Sequence, residues 1–481
     1  MSDRVAVVTP TDRDPLPHDP LPHDPLPHDP SAAAPTRPRP GAGTDTQLTD
    51  TQLTGTQLTT AVLAAVDAQR SATLEMLDRL VRIPSVGGSE AECEIQHVMA
   101  DLLHGEGFDV DLWALDLDEL RADPEFPGKE VERHEAYGVR ATLPGHEPAM
   151  GLSLLVDGHT DVVPPGDLGA WSGDPFQMRQ VTRHGRELLL GRGTCDMKAG
   201  LVAAIIAARA VRAAGVRLAG DLMIAPVVGE EDGGLGTFAL VRRGITADAC
   251  LIPEPTDLDL VPANAGALTF RLLVPGRAVH ASRRTEGVSA IDNLRPVLDA
   301  LLALETRRNT DVDPLMARWP IAYPISIGTV RAGDWASTVP DLLVAEGRLG
   351  VALDESPAAA RASLEAAVSD VNAADAFLRV NPVRVQWWGG QFAPGRTDDS
   401  YLVDLVARAH TVAAPGARTP EVYGAPYGSD LRLLAPPTPT LLYGPGDTQT
   451  AHAPDESVPL EDLYTATRTL ALLYVEHCGA L

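Results

Sequence analysis

The sequence predicts an α/β protein, with a largely parallel sheet under helical cover interrupted by a smaller α+β unit. Three observations predict it. First, GLSLLVDGHTDVV, DLMIAPVV (Asp221 to Val228) and ACLIP (Ala249 to Pro253) are short apolar runs that read as buried strands. Between the first two lies MKAGLVAAIIAARAVRAAG, an apolar, alanine-rich helix. Strands alternating with helices favour parallel pairing with both faces covered. Second, the texture changes near Asn264: GALTFRLLV, PISIGTV, DLLVAEGRLGV and VRVQWW alternate with the helical stretches IDNLRPVLDALLALETRR and PAAARASLEAAVSDVNAA. Third, the sequence then returns to helix (SYLVDLVARAHTV) and short strand (PTLLYG), which points to one domain inserted in another. The expected boundaries are 61–263 and 390–481 for the larger domain and 264–389 for the insert. A chain of 481 residues, 44% apolar, can hold two such cores.

Ahead of these elements, DPLPH repeats from Asp14 to His28 and TQLT repeats from Thr46 to Thr59. A five-residue period suits neither helix nor strand, and frequent proline removes backbone donors, so residues 1–60 are expected to be a disordered tail. Metal capture by His18, His23 and His28 is the less favoured reading of the same repeats. Next, ATLEMLDRLVRIPSV reads as an amphipathic helix ended by Pro84. EAECEIQHVMADLLHGEGF reads as a second, ended by Gly105 or Gly107.

A formal net charge of −27 repels phosphate backbones and anionic lipid surfaces, which argues against nucleic-acid and membrane partners. It also permits a site crowded with carboxylates. The four cysteines, Cys93, Cys195, Cys250 and Cys478, are scattered without a CxxC pair, so a thiolate zinc ribbon or disulfide framework is not expected. MSDRVAVVTPTDRDP has no apolar stretch after a basic start, and no run approaches the roughly 18 apolar residues of a membrane span. The expectation is a cytoplasmic protein.

The informative pattern is where histidine and carboxylates fall. His159 and Asp161 follow a strand in GHTD, and Asp196 sits in GRGTCDMKAG just before a helix. Glu230 and Glu231 follow a strand in VVGEEDGGLG, and Glu254 follows another in IPEPTD. Carboxyl ends of parallel strands share one edge, where binding crevices form. Taken singly each element is weak, since a strand-end Asp is most often a helix cap. Together, several carboxylates and a histidine on one edge would repel one another without a cation, so a metal cluster is the simplest explanation.

GHTDVVPPGD, GRGTCDMKAG, GEEDGGLG, PEPT and the late HAPDE, in that order, resemble the acetylornithine deacetylase/succinyl-diaminopimelate desuccinylase family. That family also includes carboxypeptidases, dipeptidases and aminoacylases. The resemblance covers roughly residues 61–481 and implies a zinc-exopeptidase-like catalytic domain with an inserted lid and dimerisation domain. It implies one metal on His159, Asp196 and Glu254, and a second on Asp196, Glu231 and His452, with Asp196 bridging. An imidazole and carboxylate set suits zinc, with cobalt or manganese able to occupy it. Asp161 is expected to accept a hydrogen bond from the free ring nitrogen of His159. On the residues alone either glutamate can be the general base; the resemblance assigns that role to Glu230.

By the same resemblance His280, in VPGRAVHAS, reaches a partner subunit's site and polarises the carbonyl oxygen. Arg348, in VAEGRLGV, holds the substrate carboxylate, a task suited to a guanidinium. Asp430 and Arg432 match a loop near the site. Two departures concern substrate contacts: Ser337 stands where the family commonly has Asn, and GSD replaces a GTD-like loop. Cys195, beside Asp196, reads as a small residue packing the turn. The expected function is amide hydrolysis in a small carboxylate-bearing substrate, most simply an N-acyl amino acid, by a homodimer. The alternatives are a dipeptidase or carboxypeptidase of the same family, and a catalytically silent binding protein.

Overall fold

Residues 55–481 are described by the computed structural model; the DPLPH repeats, with His18, His23 and His28, lie outside the described residues. A nine-stranded sheet carries the larger part of the fold. Its four middle strands, in the order Leu222–Val227, Leu154–His159, Ala249–Ile252 and Thr440–Leu442, are mutually parallel. On one flank Tyr137–Leu143 and Asp109–Ala114 add antiparallel, and on the other Leu260–Asn264 does the same. The first three of the parallel strands are buried at every position, as expected of apolar runs covered on both faces. Asp109–Ala114 alternates between exposed and half-buried positions, and so carries no apolar run to betray it.

The two faces of the sheet can be read from residue parity. Leu154, Val156, Leu222 and Ile224 join one apolar cluster with helices Lys198–Ala213 and Leu460–His477. Leu155, Met223 and Ala225 join another with Leu240 and Leu431. A side-chain period of two places these sets on opposite faces, so helices cover both. Lys198–Ala213 is buried along almost its whole length, which explains its alanine and aliphatic content.

Residues from Gly266 to Phe392 build a separate four-stranded antiparallel sheet, ordered Ile325–Ala332, Leu342–Val351, Gly266–Pro275 and Arg384–Phe392. Helices Ala290–Arg308 and Pro357–Ala374 close one face over Leu268, Phe270, Leu272 and Val274, forming a core of their own. The alternate residues Thr269 and Arg348, paired across two strands, therefore lie on the opposite face.

One difference from expectation lies at the start. Helix Gly55–Asp67 begins inside the stretch assigned to the tail and buries Val62 and Val66 in the main core. The threonine-rich repeat hid a helical apolar spacing. Among the described residues no helix is long and apolar enough to cross a membrane.

Candidate active site

The parallel strands end on one edge, and the expected residues gather there. His159 is the last residue of its strand. Glu254 follows Ala249–Ile252, and Asp196 precedes the amino terminus of Lys198–Ala213, where the helix dipole favours negative charge. Glu230 and Glu231 sit in a loop bounded by Gly229 (φ 68°) and Gly234 (φ 84°), left-handed positions that side-chain-bearing residues rarely adopt. His452 arrives from the loop ahead of Ser457–Pro459.

Asp196 stands between the two histidines. One of its oxygens is 2.9 Å from His159 Nε2, and the other is 3.4 Å from His452 Nε2. His159 Nε2 is 3.7 Å from Glu254, and His452 Nε2 is 3.0 Å from Glu231. Ligand atoms of His159, Asp196 and Glu231 lie within 4.8 Å of one another, as do those of His159, Glu230 and Glu254.

So many buried carboxylates perturb one another. Burial, then the charge of Asp430, pushes the Glu230 carboxyl well above the usual range. Burial, then Asp196, does the same to Glu254. Hydrogen bonds to Asp196 and Glu231 raise the His452 imidazole to about 11. Held protons are what such a cluster requires in place of divalent cations, which act in the opposite sense. Two imidazoles and a set of carboxylates, converging from separate loops with one carboxylate shared, fit a pair of divalent cations.

Residues that the sequence did not single out hold this arrangement. Glu456, wholly buried, accepts the backbone N–H groups of Cys195 (2.9 Å) and Asp196 (3.0 Å) on one oxygen and pairs with Arg192 through the other. It thereby ties the Asp196 turn to the loop that carries His452. Arg133 bridges Glu92 and Asp232, and Asp232 follows Glu231 directly. Cys195 is buried beneath the turn, as expected of a packing residue.

A Cβ on Gly200 would run into the carbonyl oxygen of Pro253, beside Glu254. Only glycine lets the helix behind Asp196 approach the Glu254 loop so closely. Gly200→Ala should therefore lower the melting temperature, by the equivalent of about 1–3 kcal/mol for an overpacked contact. An unchanged melting temperature would show that the backbone relaxes freely away from this contact.

The cluster opens into a cleft of about 550 Å³ whose walls come from both sheets; Glu230, Glu231, Glu254 and His452 face Glu130, Arg348 and Phe392 across it. Residues 155–476, which include the ligand candidates, match peptidase family M20/M25/M40. The chain belongs to that family. Its M20 relatives include an N-formyl-4-amino-5-aminomethyl-2-methylpyrimidine deformylase of Bacillus subtilis, 26% identical over 80% of this chain and 89% of the relative. A succinyl-diaminopimelate desuccinylase of Methylobacterium nodulans is 31% identical over 81% and 92%. Among solved structures the dipeptidase Dug1p of Saccharomyces cerevisiae superposes with a TM-score of 0.68 at 17% identity, covering 87% of this chain and 98% of its own. The fold is M20 peptidase-like, and the protein is an amide-bond hydrolase of that family.

Asp161 makes a different contact from the one expected. His159 Nδ1 bonds the backbone carbonyl of Asp161 at 2.9 Å, while the Asp161 carboxylate is 3.8 Å away. That carboxylate instead accepts the N–H groups of Glu230 and Glu231, both at 3.3 Å, so it orients the glutamate pair. The chain turns so tightly after His159 that the nearer oxygen is the main-chain one. Burial pushes the Asp161 carboxyl up to about 7. His280 is exposed, bonded to Ser282 Oγ at 2.8 Å, and is not brought to the cluster, because it caps a short helical turn in the second sheet's connections. Arg348 does line the cleft, but its guanidinium is paired with Glu130 at 3.0 Å.

Asp430 and Arg432 lie beside the site, buried. Thr237 bonds both Asp430 (2.6 Å) and Asp157 (2.8 Å), while Arg432 donates to the carbonyls of Gly233 and Ser429. They brace the GEEDGG loop from below.

Proposed function

We propose that this chain is a two-cation amidohydrolase that removes a small acyl group from nitrogen, with Glu230 as the general base. The observation that carries it is the sharing of Asp196 between His159 and His452, with Glu254 on one side, Glu231 on the other and Glu230 facing the same cleft. His159, Asp196 and Glu254 would hold one cation; Asp196, Glu231 and His452 the other. Zinc suits the set best, with cobalt or manganese acceptable. When bound, such a pair supplies Lewis-acid activation of water and of the amide carbonyl.

The chain's own residues do the rest. Glu230 takes the proton of the attacking water on its carboxylate and delivers it to the leaving nitrogen, acting first as base and then as acid. The two N–H groups bonded to Asp161 keep the paired glutamates pointing apart, so one can ligate while the other carries the proton. His280 would serve from a second subunit of a homodimer, a reading supported by its exposure outside its own cleft.

Deacylation is preferred to peptide cleavage because the deformylase and the desuccinylase are curated relatives spanning most of the chain, whereas the dipeptidase likeness is one of fold. Metal-loaded enzyme should hydrolyse N-formyl, N-acetyl or N-succinyl amines in a screen that includes dipeptides. Cleavage of dipeptides alone would replace deacylase by peptidase, and no cleavage with zinc or cobalt would favour the silent binding protein.

A further inference from the structure

Beyond the cations the cleft presents one positive and one negative group, locked to each other. Glu130 lies in the segment between Leu117–Ala122 and Tyr137–Leu143, on the larger unit. Its Oε1 collects three donors: Thr269 Oγ1 at 2.8 Å, Arg348 Nη2 at 3.0 Å and the Gly390 N–H at 3.3 Å. Its Oε2 takes no hydrogen bond among the described residues, and Glu130 lines the cleft. Arg348 likewise uses only Nη2, leaving Nε and Nη1 without a hydrogen bond among the described residues. The backbone N–H of Glu130 is fixed at 3.0 Å by Asp232, next to Glu231, so the main chain that carries the carboxylate is tied to the GEEDGG loop.

The other nearby cation is already engaged. Arg432 is buried, donates to two backbone carbonyls, stacks on Phe392 at 4.0 Å and faces Asp430 at 3.6 Å. The recognition wall is therefore dipolar rather than cationic. A lone carboxylate approaching Arg348 meets the repulsion of Glu130, whereas a group bearing both charges satisfies both free edges.

Resting on the amidohydrolase reading, we infer that Glu130 is a substrate-recognition residue and that the part of the substrate beyond the scissile amide is zwitterionic. Its ammonium would bond Glu130 Oε2 and its carboxylate would bond the free guanidinium edge of Arg348. Charge-assisted bonds of this kind discriminate strongly, because an analogue lacking one partner leaves a charged group of the protein unmatched.

The test compares ω-N-acyl derivatives of 2,4-diaminobutyrate, ornithine and lysine with their des-amino and decarboxylated counterparts, all carrying the acyl group preferred in the functional screen. Wild-type enzyme should hydrolyse a zwitterionic member with kcat/KM about tenfold or more above its des-amino counterpart. Glu130→Gln keeps an acceptor for Thr269 and Gly390, so its melting temperature should hold. It should erase most of that margin from both sides, lowering kcat/KM on the zwitterionic compound and, with the repulsion of Glu130 gone, raising it on the des-amino compound. Equal turnover of the pair by wild-type enzyme, or an equal loss on both in Glu130→Gln, overturns the inference. So does failure to cleave the whole series while other acyl amines are cleaved. Cleavage of no acyl amine at all would instead count against the amidohydrolase reading.

Discussion

Glu230→Gln should lower kcat by about 10²–10⁴-fold, the usual worth of a positioned general acid–base, with both cations retained. The substitution keeps size and removes the ability to accept a proton. Glu230 makes no hydrogen bond to either histidine, whereas Glu231 sits 3.0 Å from His452, which supports the proposed division between the two glutamates. Metal content by mass spectrometry should stay at two equivalents per chain in the variant, and kcat should fall while KM moves little. Activity within about tenfold of wild type would hand the role to another group. The same loss accompanied by a missing cation would make Glu230 a ligand, which its place within 4.8 Å of His159 and Glu254 permits geometrically.

Removing the cations should abolish turnover altogether and reversibly. Dialysis against a chelator should leave a folded, inactive protein that zinc or cobalt restores. Asp196→Ala should be beyond rescue by either metal, because in the proposed ligand sets it serves both positions. Melting temperature should also fall on chelation, since a ligand bound only by the native state stabilises by mass action. The buried carboxylates left behind repel one another, which adds to that fall. Full activity after exhaustive chelation would remove the metallohydrolase reading and the role of Glu230 with it.

Much of this site was legible because its parts lie at the ends of apolar runs. GLSLLVDGH, DLMIAPVV and ACLIP announce buried strands, and the polar residues that follow them fall on the shared edge. The four strands and two helices of the second sheet were legible through the alternation of their apolar residues. Less visible was anything that depended on chain folding back on itself. Glu130 sits in a loop without periodicity, and its meeting with Arg348 joins residues from two sheets. Glu456 stands in plain view in HAPDE, yet its task, holding the amide of Asp196, exists only once two distant loops meet. The contact of His159 turned on a detail no pattern encodes, whether the backbone or the carboxylate of Asp161 lies nearer. The antiparallel pair Asp109–Ala114 and Tyr137–Leu143 escaped because an exposed edge needs no apolar run.

His452 lies 221 positions after Glu231, and the helix Leu460–His477 beyond it packs against Lys198–Ala213. During synthesis, His159, Asp196, Glu231 and Glu254 all leave the ribosome long before their last companion does. On the proposed ligand sets, the donors of the first cation site are all made before His452, which the second site needs. A product truncated ahead of His452 should therefore lack the second proposed cation and stay inactive.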